Sequence, residues 1–107
     1  MSTYYEAYSY EDAKSVFIEM LDKKLPIYLL GSGGNGKSFL LNDCEDLIYS
    51  HKRIVFCQDK IPKYEDQIND SYIICIHKRN EIIKEPALVL SMDNILYESS
   101  SNEIHQN

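Results

Sequence analysis

An apolar run, Ile27-Tyr28-Leu29-Leu30, passes without a break into Gly31-Ser32-Gly33-Gly34-Asn35-Gly36-Lys37-Ser38, and this junction constrains the fold more than any other feature. Pro26 opens the run, and no polar residue interrupts it, as expected of a strand covered on both faces. From Lys37 the spacing turns helical, with Leu40, Cys44, Leu47 and Ile48 on one side, and it fades near Ser50 and His51. A strand that turns through glycines straight into a helix predicts an α/β layer. All four glycines of the chain lie in this octapeptide. A flexible linker explains that concentration poorly, whereas a turn that needs positive φ or close backbone approach explains it well.

The rest of the chain fits the same layout. Ser9 followed by Asp12 reads as a helix start, a hydroxyl for orphan amides with a carboxylate three residues on. Ala13, Val16, Phe17, Met20 and Leu21 then recur on one helical face, and Asp22, Lys23 and Lys24 close the helix. Arg53-Ile54-Val55-Phe56-Cys57, Tyr72-Ile73-Ile74-Cys75-Ile76 and Ala87-Leu88-Val89-Leu90 read as further strands. A short helix is expected around Tyr64–Ile68. Residues 78–85 give one or two helical turns, marginal for a crossover helix, so the last strand either follows a tight crossover or pairs antiparallel with the one before it. The expectation is a single domain over 1–107, a small mainly parallel sheet with helices packed on it, and loose tails at 1–8 and 99–107.

Composition limits the function classes. The net charge is -6, whereas non-specific nucleic-acid binding rests on basic faces that neutralise phosphates. Nucleic acid is thus an unsupported partner, although a local basic patch is compatible with an acidic chain. Cys44, Cys57 and Cys75 lie far apart with no CxxC pair, so they read as reduced thiols rather than a disulfide framework or zinc site. His51, His77 and His105 have no metal-ligand spacing. No apolar run approaches the ~20 residues of a membrane span. Residues 1–8 lack a signal peptide's basic and apolar regions. A soluble, intracellular, cytoplasmic protein without a membrane partner is expected.

The octapeptide fits G-x-x-x-x-G-K-[ST] at every fixed position, the Walker A pattern. A triphosphate needs several amide donors pointing inward together, and side chains there would block its oxygens. Lys37 is placed to reach the β- and γ-phosphates, and the Ser38 hydroxyl to reach Mg²⁺. The loop and its flanks, about residues 25–57, resemble the P-loop NTPase superfamily. The spelling Gly33-Gly34-Asn35-Gly36-Lys37-Ser38 is most similar to superfamily 3 and poxvirus-type primase-helicases and to AAA-like ATPases. The resemblance implies ATP or another NTP with Mg²⁺, bound by Gly31, Ser32, Gly33, Gly34, Asn35, Gly36, Lys37, Ser38 and Phe39.

The departures bear on catalysis. Such ATPases carry a second strand ending in Asp, usually followed by Glu. Here the candidates are Val89-Leu90-Ser91-Met92-Asp93, with Asn94 in place of Glu, and Ile54-Val55-Phe56-Cys57-Gln58-Asp59, one residue too long. Asp93 is the favoured metal partner beside Ser38, and Lys37 and Asp93 are the candidate catalytic pair. Asn80 stands where such helicases place a polar residue near the γ-phosphate, and Lys78 or Arg79 could face a phosphate; a solvated loop is the plainer reading of all three. Tyr4, Tyr5, Tyr8 and Tyr10 read as half-buried packing residues, or as a surface for adenine or a partner. Only Arg53 and Arg79 are available for a kinase lid, which argues against a small-molecule kinase.

The chain is therefore expected to be a minimal or truncated relative that binds ATP, a possible NTPase with slow or partner-dependent hydrolysis, akin to a viral or mobile-element replication ATPase. A protein partner or self-association would complete it. The alternative is a non-enzymatic assembly module with a degenerate loop.

Overall fold

The computed structural model describes residues 2–33 and 36–95. It is an α/β fold built on a five-stranded, all-parallel sheet of order β1-β5-β2-β4-β3. The strands are β1 (Thr3–Glu6), β2 (Ile27–Leu30), β3 (Ile54–Phe56), β4 (Tyr72–Ile76) and β5 (Leu88–Ser91). The helices are α1 (Tyr10–Leu21), α2 (Lys37–Asp43) and α3 (Glu45–Ser50). Single 3₁₀ turns occupy Gln58–Lys60, Glu65–Gln67 and Arg79–Glu81.

β2 is central and buried at all four positions, which is why its sequence shows no alternation. Its side chains divide between two cores. Ile27 and Leu29 join Ile73, Leu88 and Leu90 under the helices, against Phe17 and Met20 of α1 and Leu40 and Ile48 of the following segment. Tyr28 and Leu30 join Ile74, Ile76 and Val89 on the opposite face, where the irregular connections supply Ile68 and Ala87. All the described helices thus contribute to one face, and the other is sealed by extended chain and 3₁₀ turns. Full burial of each large apolar side chain contributes about 1.5–3 kcal/mol. Truncating the fully buried Phe17 would remove about 3–5 kcal/mol.

α1 begins where the sequence places it. Ser9 is extended, and its hydroxyl accepts the Asp12 amide at 3.1 Å. The other end of α1 is finished from a distance. Arg53 is only 8% exposed and donates to the carbonyls of Met20, Leu21, Lys23 and Leu25, at the end of α1 and in its exit turn, where helix carbonyls run short of intrahelical donors.

The structure differs from the sequence reading, or decides between its alternatives, at several points. Residues 3–6 form an edge strand, since Thr3–Glu6 pair with Leu88–Ser91; the tail at 99–107 lies outside the described residues. The helix after the glycine loop is two abutting segments with a break at Cys44, where φ is -107° and ψ is 17°. The strands flanking that helix are parallel but not adjacent, because β4 lies between them. The last strand is parallel rather than antiparallel and sits on the far side of β2, between β2 and β1. The short helix expected at 64–68 is the 3₁₀ turn Glu65–Gln67. No helix among the described residues is long and apolar enough to cross a membrane.

Candidate functional site

Parallel strands deliver their connecting loops to one edge, and ligands of open α/β sheets bind outside the carboxyl ends of the strands. The glycine loop leaves the carboxyl end of β2 at that edge. Its base is fixed on both sides: the Gly31 amide donates to the Ile76 carbonyl of β4 at 3.1 Å, and the Met92 amide donates to the Leu30 carbonyl at 2.9 Å. The loop then rises into solvent at Ser32 and Gly33. Gly34 and Asn35, both in the expected binding set, lie outside the described residues.

Two glycines can be read individually. Gly36 has φ of 97°, the left-handed region that disfavours a side chain, and its carbonyl accepts the Leu40 amide at 3.0 Å to start α2. A Cβ added at Gly33 would meet no atom within 4 Å, so packing does not require glycine there. That open space is compatible with a cradle for a group outside the protein.

Lys37 is partly buried, and its ammonium donates to the Gly31 carbonyl, folding the side chain back across the loop. Burial lowers its pKa, and the negative groups of Cys75, Asp93 and Glu81 act in the opposite direction. Leu40, fully buried one turn on, anchors the helix that carries Lys37 and Ser38.

Beside Lys37 and Ser38 lies a cleft of about 470 Å³, a size typical of small-molecule sites. Its far wall comes from the segment after β3, with Cys57, Gln58 and Asp59, and from the end of β4, with Cys75 and His77. Ser38 shares the cleft with Asp59. Asp93 instead accepts from the Ser32 amide at 3.0 Å and the Ser32 hydroxyl at 3.3 Å, at the first turn of the loop. No group of three or more His, Cys, Asp or Glu side chains able to hold a metal occurs among the described residues.

The segment after β4 is ordered by Glu81. One carboxylate oxygen accepts the His77 amide at 2.7 Å and the Lys78 amide at 2.9 Å, and the other accepts from the Gln58 side chain. These bonds, the Lys78 amide first, hold its pKa below the usual carboxylate range. Arg79 lies over the Tyr4 ring, 4.7 Å from its centroid, so its charge is engaged at the β1 edge. Asn80 is exposed.

The tyrosines are mostly held by packing and carboxylates. Tyr5 donates to Asp12 at 3.0 Å, and Tyr10 donates to Asp43 at 2.7 Å. Tyr10 also packs on Phe39 with centroids 5.2 Å apart, while Phe39 remains 61% exposed just beyond Ser38.

Sequence reasoning did not assemble the cleft wall of Cys57, Gln58, Asp59, Cys75 and His77, or the Glu81 clamp. The usable signal was position: each follows or ends a strand that a parallel sheet would point to the same edge. No protein-family model matches the chain, and neither a curated protein nor a solved structure matches it.

Proposed function

We propose that the chain binds a nucleoside triphosphate, ATP or a close analogue, together with Mg²⁺ through residues 31–39. The observation that carries this reading is Lys37: a desolvated cation folded across a glycine loop, at the carboxyl end of a central parallel strand, beside a cleft of about 470 Å³. An ammonium bonded to a single backbone carbonyl has two further donors to give. A phosphate would take them, and partial burial strengthens that attraction. The loop amides would supply further donors, Ser38 would bind the metal ion through its hydroxyl, and exposed Phe39 offers a face near the phosphates. Bound Mg²⁺ would offset phosphate charge.

Hydrolysis on this reading is slow or depends on a partner. Among the described residues, Asp59 is the carboxylate lining the cleft. Asp93 is committed to Ser32, and Glu81 to the His77 and Lys78 amides and Gln58. The reading is tested by titrating a fluorescent ATP analogue with Mg²⁺ against wild type and Lys37→Ala, followed by phosphate release. Binding weakened about tenfold or more by the substitution is expected. Equal binding by both proteins, or none by wild type, overturns it.

The assembly reading is favoured by one observation, the outer edge of the sheet. β3 is an edge strand with Ile54 51% and Val55 37% exposed, and an unpaired apolar edge invites another chain. Sedimentation with and without nucleotide separates a monomeric binder from a nucleotide-dependent assembly.

A further inference from the structure

Two of the three cysteines, Cys57 and Cys75, line the same cleft, one just past the end of β3 and the other on its neighbour β4. β3 and β4 pair in parallel with Ile54 opposite Tyr72, Val55 opposite Ile73 and Phe56 opposite Ile74. The next pair in that register is Cys57 with Cys75. Cys57 keeps extended backbone, φ -92° and ψ 166°, so the register runs one residue past the end of β3. Neighbouring strands lie about 4.8 Å apart. That spacing falls inside the Cα separation of about 4.4–6.8 Å that a disulfide spans. Both side chains line the cleft beside Lys37 and Ser38, so both point to the same side of the sheet.

The two sulfurs differ in the way an oxidation relay requires. Cys57 is exposed. Cys75 is half-buried, and burial pushes its thiol up to about 11. An oxidant therefore meets Cys57 first, and Cys75 is the shielded partner. β3 is three residues long and sits at the edge of the described sheet, and Cys57 lies one residue beyond its end. Cys44, at the break between α2 and α3, is 1% exposed and provides an internal control.

We infer that Cys57 and Cys75 are a peroxide-oxidisable pair that closes into a reversible cross-strand disulfide along the wall of the cleft. In the first step the Cys57 thiolate attacks a peroxide oxygen; the O–O bond breaks, hydroxide leaves, and Cys57 becomes a sulfenic acid. In the second, the Cys75 sulfur attacks the Cys57 sulfur; the S–O bond breaks, the S–S bond forms, and the departing hydroxide takes the Cys75 proton to leave as water. The two sulfurs together lose two electrons, and the peroxide oxygens gain them. This chemistry uses no nucleotide, so it stands or falls separately from the proposed function.

The test is oxidation of the full chain by low hydrogen peroxide, read by free-thiol titration, intact mass and a non-reducing peptide digest. Wild type is expected to lose two of its three thiols. Its mass should fall by about 2 Da, a peptide joining Cys57 to Cys75 should appear, and dithiothreitol should reverse all three. Cys44→Ser should behave as wild type. Cys75→Ser should stop at a sulfenic acid on Cys57 that dimedone traps, and Cys57→Ser should keep its remaining thiols. A bridge to Cys44, a dimer linked through Cys57, or sulfinic acid on Cys57 with Cys75 still free would each overturn the inference.

Discussion

Asp93 holds Ser32 by two hydrogen bonds, from the backbone amide at 3.0 Å and the side-chain hydroxyl at 3.3 Å, tying the segment after β5 to the first turn of the glycine loop after β2. A carboxylate in this position orders the loop. Asp93→Ala should lower stability by about 1 kcal/mol. It should also weaken nucleotide binding equally with Mg²⁺ and with EDTA. Titration under both conditions checks this, and a loss confined to the Mg²⁺ series would return Asp93 to the metal.

Lys37 is a cation held partly out of water, so its charge works against folding. Its folded pKa lies below its ordinary value of 10.5. Between those two values the unfolded chain binds the extra proton, and stability therefore rises with pH across that window. Below it the penalty is constant. Lys37→Met should thus unfold no more readily than wild type at neutral pH while losing nucleotide binding. Thermal melts beside the binding titration decide the matter, and a markedly lower melting point would show that the bond to Gly31 outweighs desolvation.

Gly33→Ala separates the cradle from the fold. The added methyl meets no protein atom within 4 Å. Unfolding free energy should therefore change by no more than about 1 kcal/mol. Affinity for the fluorescent nucleotide should fall about tenfold if phosphate occupies that space. Unchanged affinity would place the phosphates elsewhere.

His51 joins the exit of α3 to the exit of α1. Its Nδ1 lies 2.8 Å from the Leu47 carbonyl and its Nε2 lies 2.8 Å from Asp22. The Leu47 carbonyl first, and Asp22 next, raise its pKa above 6.5. Stabilisation from the charged ring is complete below 6.5 and is lost as pH rises through the folded value. Melting temperature should fall over that interval, and His51→Gln should flatten the fall. Identical pH profiles for the two proteins would remove His51 from the account.

Arg53→Ala should be the most damaging of these substitutions, by about 3 kcal/mol, because it strips the donor from four carbonyls around the end of α1. Arg53→Lys should recover less than half of the loss, since one ammonium cannot reproduce the guanidinium fork. Denaturant midpoints provide the measurement.

What the sequence revealed was local. Ser9 and Asp12 marked the start of α1 because a cap is decided within four residues. Ile27–Leu30 read as a covered strand because burial on both faces leaves no polar residue. What it concealed was non-local. Tyr4 and Tyr5 lie on β1, an exposed edge strand whose partner β5 is about 85 residues away, and no local pattern carries that pairing. The break at Cys44 left the helical spacing of Leu40, Cys44, Leu47 and Ile48 intact, so periodicity could not register it. Asp93 was singled out for following a strand, but its bond to Ser32 depends on β5 lying beside β2, an order the linear chain does not encode.

That order also governs when the sheet can close. β1 is made before the other described strands, yet its neighbour among the described residues is β5. During synthesis, residues 3–6 must wait beside a growing chain until residues 88–91 have emerged. β2, β3 and β4 can assemble meanwhile, because their pairings with one another need nothing beyond Ile76. Of the described strands, β1 is therefore made before the others and placed after them, and a chain halted before Leu88 would leave Tyr4 and Tyr5 without their partner strand.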